Sequence, residues 1–133
     1  MTQSKKGGRT TLAVIVVAVV LVVALGAYYY LNNMNASSGS QTVTVNIPRA
    51  AGSKQALNYS PNTLTLVIGV NNTVNFVNQD TFTHTVTAND GTFNSGDIAA
   101  GNTWNHTFST AGTFSFHCAY HGWMTGTIVV KSA

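Results

Sequence analysis

The chain has 133 residues, 44% of them apolar and only 7% charged, with six Lys and Arg against three acidic residues and a formal net charge of +3. The excess sits at one end: Lys5, Lys6 and Arg9 fall in the first ten residues, while Arg49, Lys54 and Lys131 beyond them are balanced by Asp80, Asp90 and Asp97. No basic face is left to follow a phosphate backbone, so nucleic acid is excluded as a partner.

Residues 1–11 read as a basic, cytoplasmic N-terminus. Residues 12–31 follow, twenty positions without a charge and dominated by Val, Ala, Leu and Ile. As a helix they span about 30 Å, the thickness of a bilayer's hydrocarbon core. The preceding Lys and Arg favour the cytoplasmic side, and Tyr28, Tyr29 and Tyr30 mark the far interface. The expectation is a single-pass protein of the cell membrane with its C-terminal domain on the extracytoplasmic side. A cleaved signal peptide has the same basic-then-apolar order, and Ala24-Leu25-Gly26 offers a small-residue cleavage site. The apolar run exceeds the roughly 7–15 residues of a signal core, which favours the anchor. Residues 32–41 (Asn-Asn-Met-Asn-Ala-Ser-Ser-Gly-Ser-Gln) are polar and aperiodic and read as a flexible linker.

Residues 42–133 suffice for one small domain with one core. Apolar residues alternate with Thr and Asn at Val43/Val45/Ile47, Leu64/Leu66/Ile68, Val74/Phe76, Trp104/His106/Phe108, Phe114/Phe116/Cys118 and Ile128/Val130. Period two of this kind predicts antiparallel strands with one face buried. Gly, Asn and Pro clusters punctuate the strands, and no segment has helical periodicity. About seven short strands predict an all-β sandwich.

The densest chemistry lies in Phe116–Thr127, Phe-His-Cys-Ala-Tyr-His-Gly-Trp-Met-Thr-Gly-Thr. It holds the single cysteine, Cys118, with His121 three residues later and Met124 three after that. A thiolate, an imidazole and a thioether suit copper rather than calcium or magnesium, which take oxygen. A type 1 copper site needs a His₂Cys plane and a weak axial Met, so one more histidine must come from elsewhere, and His84 is the candidate. Zinc is the lesser hypothesis, because Met is a poor fourth ligand for it. An unpaired thiol in an exported domain is prone to oxidation, and ligation to copper accounts for its presence. His117 neighbours Cys118 and should point to the opposite face. His106 shares parity with Trp104 and Phe108 and reads as a core or rim histidine held neutral by a hydrogen bond.

Cys-x-x-His-x-x-Met followed by Gly-Thr-Ile-Val-Val resembles the ligand loop of the cupredoxins, with the short His-to-Met spacing of amicyanin. Upstream, Asn78-Gln79-Asp80-Thr81-Phe82-Thr83-His84-Thr85-Val86 resembles the strand that delivers the family's first histidine. The resemblance implies a Greek-key β-sandwich or barrel behind the N-terminal transmembrane helix. It also implies one copper ion held by His84, Cys118, His121 and Met124. His121 would be the electron port, within an uncharged docking patch built from Trp123, Tyr120, Phe82 and Gly122. Asn78, Thr85 and Ala119 would flank the ligands. Many cupredoxins place Asn after the first His and Ser or Thr after the Cys, joined by a bracing hydrogen bond. Thr85 and Ala119 stand at those positions here, so the brace is absent or rebuilt. Tyr120 replaces a proline of plastocyanin and amicyanin, and its amide would face the sulfur.

The function so implied is a monomeric carrier of single electrons between a redox donor and an acceptor, not an enzyme. Copper oxidases and nitrite reductases need a second copper centre, and four histidines leave little to build one. A copper storage or delivery module, or a non-redox surface domain, is the alternative.

Overall fold

The structure, a computed structural model, describes residues 8–35 and 39–133. Lys5 and Lys6 of the basic N-terminus and residues 36–38 of the linker lie outside the described residues. Contacts divide the chain into two units that meet at Gly39 and Ser40.

The first unit is one helix, α1, Gly8–Asn35. Its stretch Ala13–Asn33 is long and apolar enough to cross a membrane, and the side chains along it are exposed. A helix that is apolar all round belongs in lipid or deep in a core. The helix continues past residue 31 because Asn32–Asn35 contain no Gly or Pro to stop it, so the first residues of the expected linker are its last turn.

The second unit contains seven strands: β1 Thr42–Ile47, β2 Thr63–Val67, β3 Thr73–Asn78, β4 Thr87–Ala88, β5 Thr103–Thr107, β6 Gly112–His117 and β7 Thr125–Lys131. They form a three-stranded sheet, β1-β3-β5, and a four-stranded sheet, β2-β7-β6-β4. This is the all-β sandwich that period-two patterning predicts. Two pairings differ from the antiparallel expectation: β1 runs parallel to β3, and β2 runs parallel to β7. Alternation reports which face is buried, not strand direction. Chain order supplies the reason for β1 and β3: β1 leaves one sheet, β2 crosses to the other, and β3 returns beside β1 in the same sense.

Between the sheets lie Val45, Ile47, Val74 and Phe76 from one side and Leu64, Leu66, Phe116, Ile128 and Val130 from the other, all buried. Phe116 is the keystone. Its ring meets Tyr59 at 4.9 Å and Phe76 at 5.7 Å between centroids, both edge to face, a favoured aromatic geometry. On its other side it lies flat on Gly126, its cross-strand partner, where any Cβ would collide with the ring. The contact favours the register of β6 and β7 that places Cys118 and Met124 at the two ends of their loop.

Gly126→Ala should cost about 1–3 kcal/mol through overpacking. Gly122→Ala, where an added Cβ meets nothing, should fall within about 0.5 kcal/mol of wild type. Urea denaturation of the two variants compares them; equal stabilities would remove Phe116 on Gly126 as a determinant of register.

Candidate metal centre

β6 ends at His117, so Cys118 is the first residue of the loop to β7, and Met124 is the last residue before it. The loop closes on itself: the Cys118 amide donates to the Met124 carbonyl at 3.1 Å, and the Met124 amide donates to the His121 carbonyl at 2.9 Å. Cys118 and Met124 are buried at its two ends and His121 is half-buried between them.

His84 does not lie on a strand. It sits in an irregular segment between β3 and β4, joined to Ile98 by an isolated bridge of 3.2 and 2.8 Å hydrogen bonds. The side chain of Asn78 shapes that segment. Its Nδ2 donates to the carbonyls of Phe82 and Ile98 at 2.8 and 2.9 Å, and its Oδ1 accepts the Asp80 amide. Backbone groups that would otherwise seek a ladder are satisfied within the bend. His84 is carried inward by this bend and is fully buried.

The bend and the loop bring three donors together: one nitrogen each of His84 and His121 and the Cys118 sulfur lie within 4.8 Å of one another. Sγ is 3.7 Å from Nδ1 of His84 and 3.5 Å from Nδ1 of His121. A nitrogen and a sulfur bonded to one first-row ion at about 2.0 and 2.3 Å, with an angle between trigonal and tetrahedral, stand about 3.5–3.7 Å apart. The spacing fits such an ion, and with Met124 at the end of the same loop the set fits a type 1 copper site.

Burial pushes the Cys118 thiol up, but hydrogen bonds from His84, the Thr85 amide, His121 and the Tyr120 amide outweigh it and bring it from 9.0 to about 6. The Thr85 amide reaches Sγ at 3.4 Å. The thiolate, the form that ligates metal, is thus favoured near neutrality. Burial opposes protonation of His84, while Cys118 and Asp80 favour it and raise its pKa above the ordinary value. Asp80 is also buried; burial would raise its carboxyl, but the Gly52 amide, the His84 ring and the Ala50 and Thr81 amides hold it at about 2 instead of 3.8.

The family's brace is rebuilt. Thr85 Oγ1 accepts the Ala119 amide at 2.8 Å, and the Thr85 carbonyl accepts the Tyr59 hydroxyl at 2.6 Å. A threonine bonding to backbone needs no polar side chain at position 119. Tyr120 and Phe82 are 56% and 47% exposed. Gly122 is exposed, and Trp123 is half-buried with its indole N–H donated to the Ala51 carbonyl at 3.2 Å. Phe82, Thr83, Tyr120, His121 and Asp97 line one shallow depression. The patch is therefore not free of charge, because Asp97 accepts the Tyr120 hydroxyl at 2.5 Å.

His117 turns away, with Nδ1 2.6 Å from Asn89 Oδ1. His106 stacks on Trp104, ring centroids 5.2 Å apart, among Phe93 and Phe108, and burial lowers its pKa. Its surroundings are aromatic, and desolvation keeps it neutral. Two residues that matter here were given no role from sequence: Asp80, and Gly52, where an added Cβ would lie 2.9 Å from Phe82 and 3.0 Å from His121 Nε2. An acidic residue four positions before a ligand histidine, in a chain with only three, was the available signal for the first. Nothing in the sequence marks the second.

A sandwich whose two sheets pinch a Cys-His-Met loop against a buried histidine defines a class of metalloprotein, and the comparisons agree. The Cupredoxin-like domain family matches residues 17–130, and the chain belongs to that family. A novel purple cupredoxin from Nitrosopumilus maritimus is 27% identical, with a TM-score of 0.59 over 67% of this chain and 99% of that one. The Cu(I) form of an amicyanin mutant is 24% identical, with a TM-score of 0.58 over 72% of this chain and 88% of that one, and at that identity shows the fold alone. A copper-containing nitrite reductase from Thermus scotoductus SA-01 is 25% identical, with a TM-score of 0.57 over 69% of this chain but only 23% of its own. None of the curated proteins matches in sequence.

Thr85→Val keeps the shape but leaves the Ala119 amide without its acceptor, at a cost of about 1–3 kcal/mol. Hydrogen exchange at the Ala119 amide should accelerate with it, and unchanged protection would show that the brace lies elsewhere.

Acid should act through Asp80. Its pKa is depressed on folding, so its contribution is complete above the ordinary 3.8 and is lost as pH falls through about 2. Metal-free protein should lose that stability between about pH 4 and 2. Chemical denaturation at stepped pH checks this, and Asp80→Ala should flatten that arm of the profile.

Proposed function

We propose that this protein is a membrane-anchored, extracytoplasmic type 1 copper protein that carries single electrons between two redox partners. The observation that carries the reading is the convergence of His84, Cys118 and His121 donors at spacings that fit one metal ion. In this reading Nδ1 of His84, Nδ1 of His121, the Cys118 thiolate and the Met124 thioether would hold the ion. Copper supplies a Cu(II)/Cu(I) couple that accepts and releases one electron without a proton or a bond to substrate. The chain's own residues do the rest. The closed loop and the Thr85 brace hold the donors in place, and burial of Cys118 and Met124 would keep water from a bound ion.

His121 is the port for the electron. Alone among the proposed ligands it reaches the surface, and its ring faces Phe82 at 6.3 Å and Trp123 at 5.2 Å between centroids. A small patch of exposed aromatics suits short-lived encounters. Asp97 on the same depression favours a partner presenting a hydrogen-bond donor or a positive charge at that point. The apolar span of α1, with basic residues before it, supports anchoring with the domain outside the cytoplasm. The nitrite reductase likeness supports no enzyme reading, because this chain spans under a quarter of that protein.

One preparation tests the reading. Washed membranes from cells expressing the full chain should retain it at high salt, and after copper loading it should show an intense visible band that bleaches on reduction. Cys118→Ala should abolish the band, which is the thiolate's charge transfer to copper. His84→Ala and His121→Ala should weaken it and recover in part with imidazole, and Met124→Leu should keep colour while raising the potential. A copper-loaded wild type without the band would sink the proposal.

A further inference from the structure

Asp80 is sealed in the protein, and each of its oxygens accepts two bonds. Oδ1 takes the amides of Ala50 and Thr81, each at 2.8 Å. Oδ2 takes the Gly52 amide at 2.8 Å and faces Nε2 of His84 at 2.9 Å, with the side chains of both residues essentially inaccessible to water. A carboxylate has about four lone-pair directions and no proton to give. The four partners fill them, so His84 must present Nε2–H to Oδ2. In the neutral ring the proton on Nε2 leaves Nδ1, the atom facing Cys118 Sγ, with its lone pair for a metal.

The other two bonds reach the second histidine. The turn containing Ala50 and Gly52 is held down by Asp80 from one side, and by the Trp123 indole on the Ala51 carbonyl from the other. Gly52 then rests against Phe82 and His121 so closely that no side chain fits between them. Where that turn sits decides where the edge of the His121 ring can sit.

We propose that Asp80 is the positioning residue for both copper-binding histidines: it fixes the tautomer of His84 directly and the placement of His121 through the Ala50–Gly52 turn. The proposal rests on the copper reading for its effect on potential, but its structural half stands without metal. Outer partners of ligand histidines set ring orientation and raise ligand basicity, and their loss typically costs about 10–100-fold in metal affinity. A carboxylate on Nε2–H makes His84 a stronger donor and so favours Cu(II) over Cu(I). An asparagine cannot replace it. Its NH₂ would oppose either two backbone amides or the Gly52 amide and the His84 ring. In the second case Nε2 must accept, and the proton moves to Nδ1, against the metal.

The first measurement is on metal-free wild-type full-length protein, by ¹⁵N NMR of the histidine rings. His84 should carry a slowly exchanging Nε2–H whether or not Nδ1 is also protonated; a ring with its only proton on Nδ1, or one averaging between tautomers, overturns the proposal whether or not any variant folds. The second compares Asp80→Asn with Gly52→Ala. Asp80→Asn should shift the ring signals of both histidines. Gly52→Ala should shift those of His121 and leave the His84 tautomer alone. Unchanged His121 signals in Asp80→Asn would overturn the part played by the turn. The third loads copper. Asp80→Asn should lose at least about tenfold in Cu(II) affinity relative to Cu(I), which for one electron is about 59 mV upward in potential. An unmoved potential in a folded, copper-loaded variant overturns the electronic half. A wild type that refuses copper while its His84 tautomer is fixed defeats the carrier reading and leaves the positioning role supported.

Discussion

The carboxylate of Asp80 accepts four hydrogen bonds out of contact with water, and the metal end of the sandwich is arranged around that requirement. A buried charge is tolerated only when every lone pair is matched. Matching this one recruits the turn after β1, the bend after β3 and the ring of His84. Neither the turn nor the bend is regular secondary structure, and neither has a ladder of its own to hold it. Each is ordered because its amides have a buried anion to point at. Asn78 performs the complementary task for the carbonyls, donating to Phe82 and Ile98. The pair solves a general difficulty of placing irregular backbone deep in a protein, which is that its polar groups must all find partners.

The ligand loop is held by different means. Its ends are continuous with β6 and β7, whose register is favoured by Phe116 on Gly126, and its middle closes through the Cys118, His121 and Met124 backbone. One side of the centre is thus fixed by apolar packing and sheet pairing, the other by electrostatics. The distinction matters for what perturbs each. Removing apolar contact should loosen the Cys-Met side, whereas the His84 side depends on an ionised carboxyl and should yield to acid below about pH 4.

Much of this was legible in the sequence, and what was not has a physical cause. Strand positions followed from alternation because burial on one face is a local property that each residue votes on. The parallel pairing of β1 with β3 and β2 with β7 was not legible, since direction depends on which sheet the intervening chain visits. His84 was expected on a strand because Asn78 to Val86 resembles the strand that delivers the family's first histidine; the buried side chains of Asn78 and Asp80 capture backbone hydrogen bonds a strand would need. Cys118, His121 and Met124 were legible as a set because spacing within one loop survives in sequence. The roles of Gly52 and Asp97 were not, because each meets the site only after the chain has folded. The aromatic patch was expected to be uncharged because its candidates were chosen from near the ligands in sequence, and Asp97 arrives from the segment before β5.

The rebuilt brace shows how substitutions that look damaging in isolation can be coherent. Where a cupredoxin joins two side chains, one after each ligand, this chain joins the Thr85 hydroxyl to the Ala119 amide. A backbone donor is present for any residue but proline at 119, so alanine there costs nothing to the brace. Tyr120 likewise keeps a backbone N–H near the sulfur, where a proline would have none. Tyr120 therefore serves two directions at once. Its amide helps to lower the Cys118 thiol, while its ring is exposed and its hydroxyl is tied to Asp97. A partner that contacts this ring, or competes for Asp97, touches a residue whose amide already bears on Cys118. In the copper reading, the surface where electrons would pass and the sulfur that would tune their energy share one residue, which would couple docking to potential.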